Sequence, residues 1–254
     1  MPMTVGVSLK MYFGHAQAEA WFTDVAARLR EHPALRAGLV DVFVIPTYLQ
    51  VLPAVRAFAG TDVRIGAQDV AEAETGAFTG EVSAAELAEV GVSVAEIGHA
   101  ERRRLFAEDD ASSARKCAAA LRHDISPVLC LGETERLSPT DAAAAAAAQL
   151  HAALRDAPAG PVILAYEPVW AIGAAEPAPT DHIRVVTRAL RELLAADPDR
   201  AGSAVIYGGS AGPGLLTELN GDADGLFLGR FAHDPAAFLA VIDEAFALAT
   251  GADA

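Results

Sequence analysis

The sequence predicts a closed (β/α)8 barrel, and three observations carry that prediction. Eight short apolar or β-branched runs alternate with longer amphipathic segments. The 254 residues match the roughly 250 typical of such a barrel. No stretch rich in Pro, Gly and Ser breaks the alternation, so residues 1–254 read as one domain.

Strands are expected at Val5–Ser8, Asp41–Ile45, Arg64–Ala67, Ala95–Gly98, Ser126–Cys130, Val162–Tyr166, Val205–Tyr207 and Leu226–Gly229. Helical patterning falls between them, at Gln17–Arg30, Ala84–Val90, Ser112–Leu121 and His182–Leu194. The alanine run from Ala142 to Ala148 also reads as helix, because alanine has the highest helix propensity. An open doubly wound sheet would normally carry a Gly-rich first turn, and Ser8-Leu9-Lys10-Met11 contains no glycine.

Composition narrows the function. With 52% hydrophobic and 21% charged residues the chain reads as globular rather than disordered. Its formal net charge is −15, and Arg102-Arg103-Arg104 is its one basic cluster, which argues against a nucleic-acid partner. No apolar run is long enough to span a bilayer, and no signal peptide is apparent. Two cysteines, Cys117 and Cys130, fit a reducing compartment, and a cytoplasmic location is expected. The seven histidines show no metal-ligand spacing, so neither metal nor cofactor is expected.

In a (β/α)8 barrel the chemistry sits in the loops after the strands. Polar residues there are suspects, and several qualify. Lys10 follows the first strand, His99 and Glu101 the fourth, Glu167 the sixth, Gly208-Gly209-Ser210 the seventh and Arg230 the eighth. An acidic protein that binds an anion must hold it with local features, and backbone amides at helix starts can do so.

Five motifs give these residues a context: Gly76-Ala-Phe-Thr-Gly-Glu81, Gly98-His-Ala-Glu-Arg-Arg103, Leu129-Cys-Leu-Gly-Glu-Thr134, Ala165-Tyr-Glu-Pro-Val-Trp-Ala-Ile-Gly173 and Tyr207-Gly-Gly-Ser210. Together, in order and spacing, they resemble the triosephosphate isomerase family, whose fold is the TIM barrel. The resemblance implies proton transfer beside a carbonyl through an enediolate. It makes Glu167 the base, His99 a neutral electrophile, Lys10 the balancing cation and Glu101 the partner of Lys10. Ser8 and Lys10 would contact substrate. Gly173, Ser210, Gly229 and Arg230 would bind its phosphate. Pro168 to Ala178 would be a lid that excludes water, with Trp170 at its hinge.

The sequence departs from the family pattern around the substrate. Ser8 and Leu9 stand where Asn and Trp are usual, and Ala100 replaces a serine. Ala175 and Pro177 stiffen the second half of the lid. Arg230 replaces a glycine, which would be strained if that position needs a positive φ. Glu96, inside the fourth strand, would need a partner that the sequence does not name.

The first functional reading is interconversion of dihydroxyacetone phosphate and glyceraldehyde 3-phosphate, in glycolysis and gluconeogenesis. The alternative is an isomerase or racemase of a four-carbon ketose phosphate, an erythrulose phosphate of tetritol catabolism. A lower alternative is a non-catalytic binder of phosphometabolites, against which the joint presence of Lys10, His99 and Glu167 argues. The stretch Gln68 to Gly80 resembles the family's dimer loop, with Thr75 at its tip, and implies a homodimer.

Overall fold

Eight parallel strands close on themselves in chain order, each bonded to the next and the last to the first, in a computed structural model that describes residues 2–251. Residues 1 and 252–254 of the expected 1–254 domain lie outside the described residues. The strands are β1 (Met3–Ser8), β2 (Val40–Ile45), β3 (Arg64–Ala67), β4 (Val94–Ile97), β5 (Ser126–Leu131), β6 (Ile163–Tyr166), β7 (Ala204–Tyr207) and β8 (Gly225–Leu228). Five of them have every residue buried, β4 to β8, as expected where helices cover one face and a barrel interior the other.

Among the described residues nine α-helices lie between the strands and a tenth follows the last: α1 (His15–Leu29) and α2 (Pro33–Arg36), α3 (Val51–Ala57), α4 (Ala84–Glu89), α5 (Ala100–Phe106) and α6 (Asp110–Leu121), α7 (Pro139–Leu154), α8 (Thr180–Ala196), α9 (Leu215–Leu219) and α10 (Pro235–Thr250). Their starts are chemically marked. Ser138 accepts the Asp141 N–H ahead of Pro139, and Asp109 forms a capping box with Ser112. In α8 the buried residues Ile183, Val186, Thr187, Leu190 and Leu194 recur every three or four positions, giving one face to the barrel.

Two apolar layers result. One lies between strands and helices, and the other fills the barrel with Phe43, Ile45, Val94, Val128, Ile163, Ile206, Phe227 and their neighbours. Phe43 occupies the space over Gly6, where an added Cβ would come within 1.9 Å of the ring. Truncating such a buried phenylalanine costs about 3–5 kcal/mol.

Expected and observed elements differ mainly at their ends. Strand four stops at Ile97, because Gly98 turns to φ 72° and leaves the ladder. Strand eight stops at Leu228, and Gly229 precedes a short helical turn, Arg230–His233. The connection from β4 to β5 holds two helices, α5 and α6.

The 68–80 loop projects without strand or helix, yet its own chain braces it. At its root Asp69 and Lys116 are buried together, joined by Glu108 and Arg102. Further out, Glu72 pairs with Arg115, and Glu74 with Arg122 and His123.

Candidate active site

The C-terminal ends of the strands surround a cavity of about 520 Å³. Ser8, Lys10, His99, Glu101, Glu167, Gly173, Ser210, Gly229 and Arg230 all line it. Residues from five strand ends, up to 222 positions apart, thus meet at one mouth (Ser8 to Arg230).

Lys10 follows β1 in a left-handed conformation, φ 48°, uncommon for a residue with a side chain. Gln68 holds that backbone by donating to the Lys10 carbonyl at 3.0 Å. The Lys10 Nζ donates to Glu101 Oε1 at 2.9 Å. Burial alone would lower the lysine's affinity for its proton, but the bond and charge of Glu101, with Glu167 and Glu96 behind it, hold the pKa above the usual value. Lys10 is therefore a fixed cation at the floor of the mouth.

His99 is the N-cap of α5, and its Nδ1 accepts the backbone N–H of Glu101 at 3.1 Å. In the neutral ring the proton then sits on Nε2. Burial, followed by the charge of Lys10, lowers the His99 pKa to about 4. The imidazole is neutral in the ordinary pH range and can donate from Nε2 without being an acid in its own right.

Glu167 stands just beyond β6, with its N–H donating to Leu131 at 2.7 Å. Its Oε2 lies 3.5 Å from His99 Nε2 and has no hydrogen-bond partner. Burial, then the charge of Glu96, pushes its pKa up to about 8. A carboxyl tuned to that range can accept and return a proton near neutrality. Gly208 makes room for it, since a Cβ there would lie 2.6 Å from Glu167 Oε1.

The 168–178 segment covers one side of the cavity and is tied at both ends. Trp170 Nε1 donates to Glu133 Oε1 at 2.8 Å, and Glu133 also accepts from the Tyr166 hydroxyl and faces His182 Nε2 at 3.3 Å. At the far end the Ala178 N–H donates to the Tyr207 hydroxyl. Ser210 donates to the carbonyls of Ala171 and Ala174. Gly173 reaches φ 72°, which a side chain would resist.

Arg230 corrects one expectation. It is not among the described residues with positive φ, so no backbone strain attends the loss of glycine. Its guanidinium instead lies 5.9 Å over the Tyr12 ring, along the rim of the cavity. The partner missing for Glu96 is Ser8, whose hydroxyl donates to Glu96 Oε2 at 2.7 Å. Sequence reasoning flagged Glu96 but missed this pairing, along with Tyr12 at the rim and the Glu133–His182 contact. Among the described residues no group of three or more His, Cys, Asp or Glu side chains could hold a metal ion. No helix among them is long and apolar enough to cross a membrane.

Comparison with known proteins agrees with this architecture. A triosephosphate isomerase family model matches residues 3–245. A relative from Pectobacterium atrosepticum, named L-erythrulose-1-phosphate isomerase, is 49% identical over 98% of both chains. One of the same name from Rhizobium etli is 38% identical over 95% of this chain and 92% of its own. A triosephosphate isomerase of Leifsonia xyli subsp. xyli is 37% identical over 95% of this chain and 96% of its own. The crystal structure of triosephosphate isomerase from Bartonella henselae superposes with a TM-score of 0.82 at 25% identity, covering 97% of this chain and 99% of that one. The chain belongs to the triosephosphate isomerase family.

Proposed function

We propose that the protein isomerises a four-carbon ketose phosphate, L-erythrulose 1-phosphate, by proton transfer through an enediolate. The observation that carries the choice of substrate is the 49% identity, end to end, with the Pectobacterium relative of that name. The family's three-carbon reaction, the first reading of the sequence, ranks second. It keeps support from relatives named triosephosphate isomerase, one of them 37% identical.

The two substrates are chemically close. In dihydroxyacetone phosphate the phosphate-bearing carbon adjoins the carbonyl, and the proton leaves from the hydroxymethyl carbon on the other side. L-Erythrulose 1-phosphate keeps that spacing and adds one hydroxymethyl group to the carbon that loses the proton. A site for the triose skeleton therefore needs only local room. Ser8, a small residue on the cavity wall beside His99 and Lys10, is consistent with such room.

In this reading Glu167 removes the proton from C3. His99 donates from Nε2 to the oxygens on C2 and C3, and Lys10 balances the charge of the enediolate. Returning a proton to C2 leaves the carbonyl on C3, so the product is the erythrulose 4-phosphate. No atom is gained or lost. The backbone amides of Gly173, Ser210, Gly229 and Arg230 hold the phosphate, with the Arg230 side chain beside it. Lid closure keeps water from the intermediate. The working unit is a homodimer joined through the 68–80 loop.

A side-by-side assay with L-erythrulose 1-phosphate and dihydroxyacetone phosphate tests the proposal. At least a tenfold higher kcat/KM for the tetrulose is expected. A preference for the triose would return the protein to the three-carbon reaction, and activity on neither would favour a binding role. Glu167→Gln should abolish exchange of the substrate's carbon-bound proton with solvent, and surviving exchange would reassign the base.

A further inference from the structure

We propose that Glu96, clamped by Ser8, is a positioning residue of the isomerase site that backs the Nε2 edge of His99 and sets a second carboxyl opposite Glu167. The inference rests on the reading of Glu167 as the base.

Glu96 lies in β4, in the barrel interior, and is 3% exposed. The interior positions around it are filled by apolar groups such as Val94, Val128 and Phe227. An apolar side chain would serve packing there as well, and a buried carboxyl with one donor is costly. Its hydrogen bond is to Ser8 Oγ, at 2.7 Å. Its other oxygen, Oε1, lies 3.8 Å from His99 Nε2, and Glu167 Oε2 approaches the same nitrogen at 3.5 Å. The His99 proton is directed to Nε2 by the Glu101 amide at Nδ1. The imidazole edge thus stands between two buried carboxyls.

Glu96 does not line the cavity, so its influence passes through His99 and Glu167 rather than through substrate contact. A carboxyl facing a second negative charge binds its proton more tightly. Glu96 makes Glu167 a stronger base in this way. Burial lifts Glu96 itself to about 7, against the pull of Ser8, so the pair completes its ionisation only at or above neutrality. The other groups acting on the pair are Lys10 after β1, Asp69 after β3, Glu101 on α5 and the Cys130 thiol on β5.

The test combines kinetics with carboxyl titration. Glu96→Gln should lower the pH-independent kcat about 2–10-fold with KM changed less than threefold, well short of the roughly 100–10,000-fold that a general base supplies in full. The acid limb of its kcat/KM profile should move down by at least half a pH unit, a shift that a packing role would not produce. An unchanged limb and kcat would overturn the proposal. Because Glu96→Gln could fold poorly, the carboxyl carbons of the native protein are also titrated by ¹³C NMR, with Glu167→Gln as the second variant. Glu96 should titrate near neutrality in the native protein and at least half a unit lower in Glu167→Gln. A Glu96 that titrates identically in both would also overturn it. If the native enzyme turns over neither ketose phosphate, the functional reading falls, and the NMR comparison still decides whether the carboxyls are coupled.

Discussion

The Ser210 hydroxyl donates to the carbonyl of Ala174 at 2.6 Å, so the loop after β7 holds the middle of the 168–178 segment. Its backbone N–H is left for phosphate in the proposed mechanism. Ser210→Ala removes the side-chain clasp without touching that amide. A neutral hydrogen bond is worth about 1 kcal/mol, so kcat/KM should fall about fivefold. Steady-state kinetics check this, and native values would mean that the clasp is idle.

Glu101→Gln removes the charge that fixes Lys10. The bond it weakens is charge-assisted, worth about 1.5–3 kcal/mol. The lysine should bind its proton less tightly than in the native protein, since Glu101 opposes the effect of burial. A loss in kcat/KM of about 10–100-fold is expected. A variant within twofold of native would show that Lys10 needs no partner.

Glu167 makes stability depend on pH in a definite direction. Its folded pKa, about 8, lies above the ordinary 4.5. The folded state therefore holds a proton that the unfolded chain has already released. Its contribution is fully present below about pH 4.5 and is lost as pH rises through about 8. Glu167→Gln should match native Tm near pH 4.5 and exceed it by several degrees at pH 9. His99 acts oppositely, between about 6.5 and about 4, but it is common to both proteins. Equal Tm values at pH 9 would refute the raised pKa.

Glu133 joins β5 to the lid hinge and α8. Replacing it with leucine strands the Trp170 N–H and leaves the Tyr166 hydroxyl only the buried His182 as partner. At about 1–3 kcal/mol for the orphaned group, and about 2–4 °C per kcal/mol at this size, Tm should fall by roughly 2–12 °C. Trp170→Phe loses one of these bonds and should cost no more than a few degrees, with the larger effect on kcat. Calorimetry on both variants separates hinge from core.

The proposed dimer predicts sedimentation at twice the 26.3 kDa chain mass. Met11, Leu49, Phe78 and Phe106 are exposed, with Phe78 on the loop itself and Met11 next to Lys10 in the chain. Phe78→Asp should shift the equilibrium toward monomer. A native protein that sediments as a monomer would remove the dimer from the proposal.

Much of this was readable in advance. The barrel follows from alternation, and Lys10, His99, Glu101, Glu167, Ser210 and Arg230 follow from polar groups placed after strands, whereas Ser8, Gly173 and Gly229 come from the family resemblance. Each of those signals is local in the sequence. The Ser8–Glu96 bond spans 88 positions and joins strands that are not neighbours, so nothing near either residue announces it. Glu133, Trp170 and His182 likewise meet only through folding. The left-handed Lys10 was missed because lysine carries no hint of positive φ, whereas Arg230, suspected of strain, has none. Strand ends slipped by one residue where Gly98 and Gly229 leave the ladder earlier than hydrophobicity suggests.

The bond between Ser8 and Glu96 also makes two distant positions depend on each other. Without a donor at position 8, a carboxyl at position 96 would be buried unpaired, a cost of about 1–3 kcal/mol or more. The asparagine usual in the family at position 8 carries an amide that can donate as the serine hydroxyl does here. Relatives with glutamate at position 96 should therefore keep a donor, serine or asparagine, at position 8.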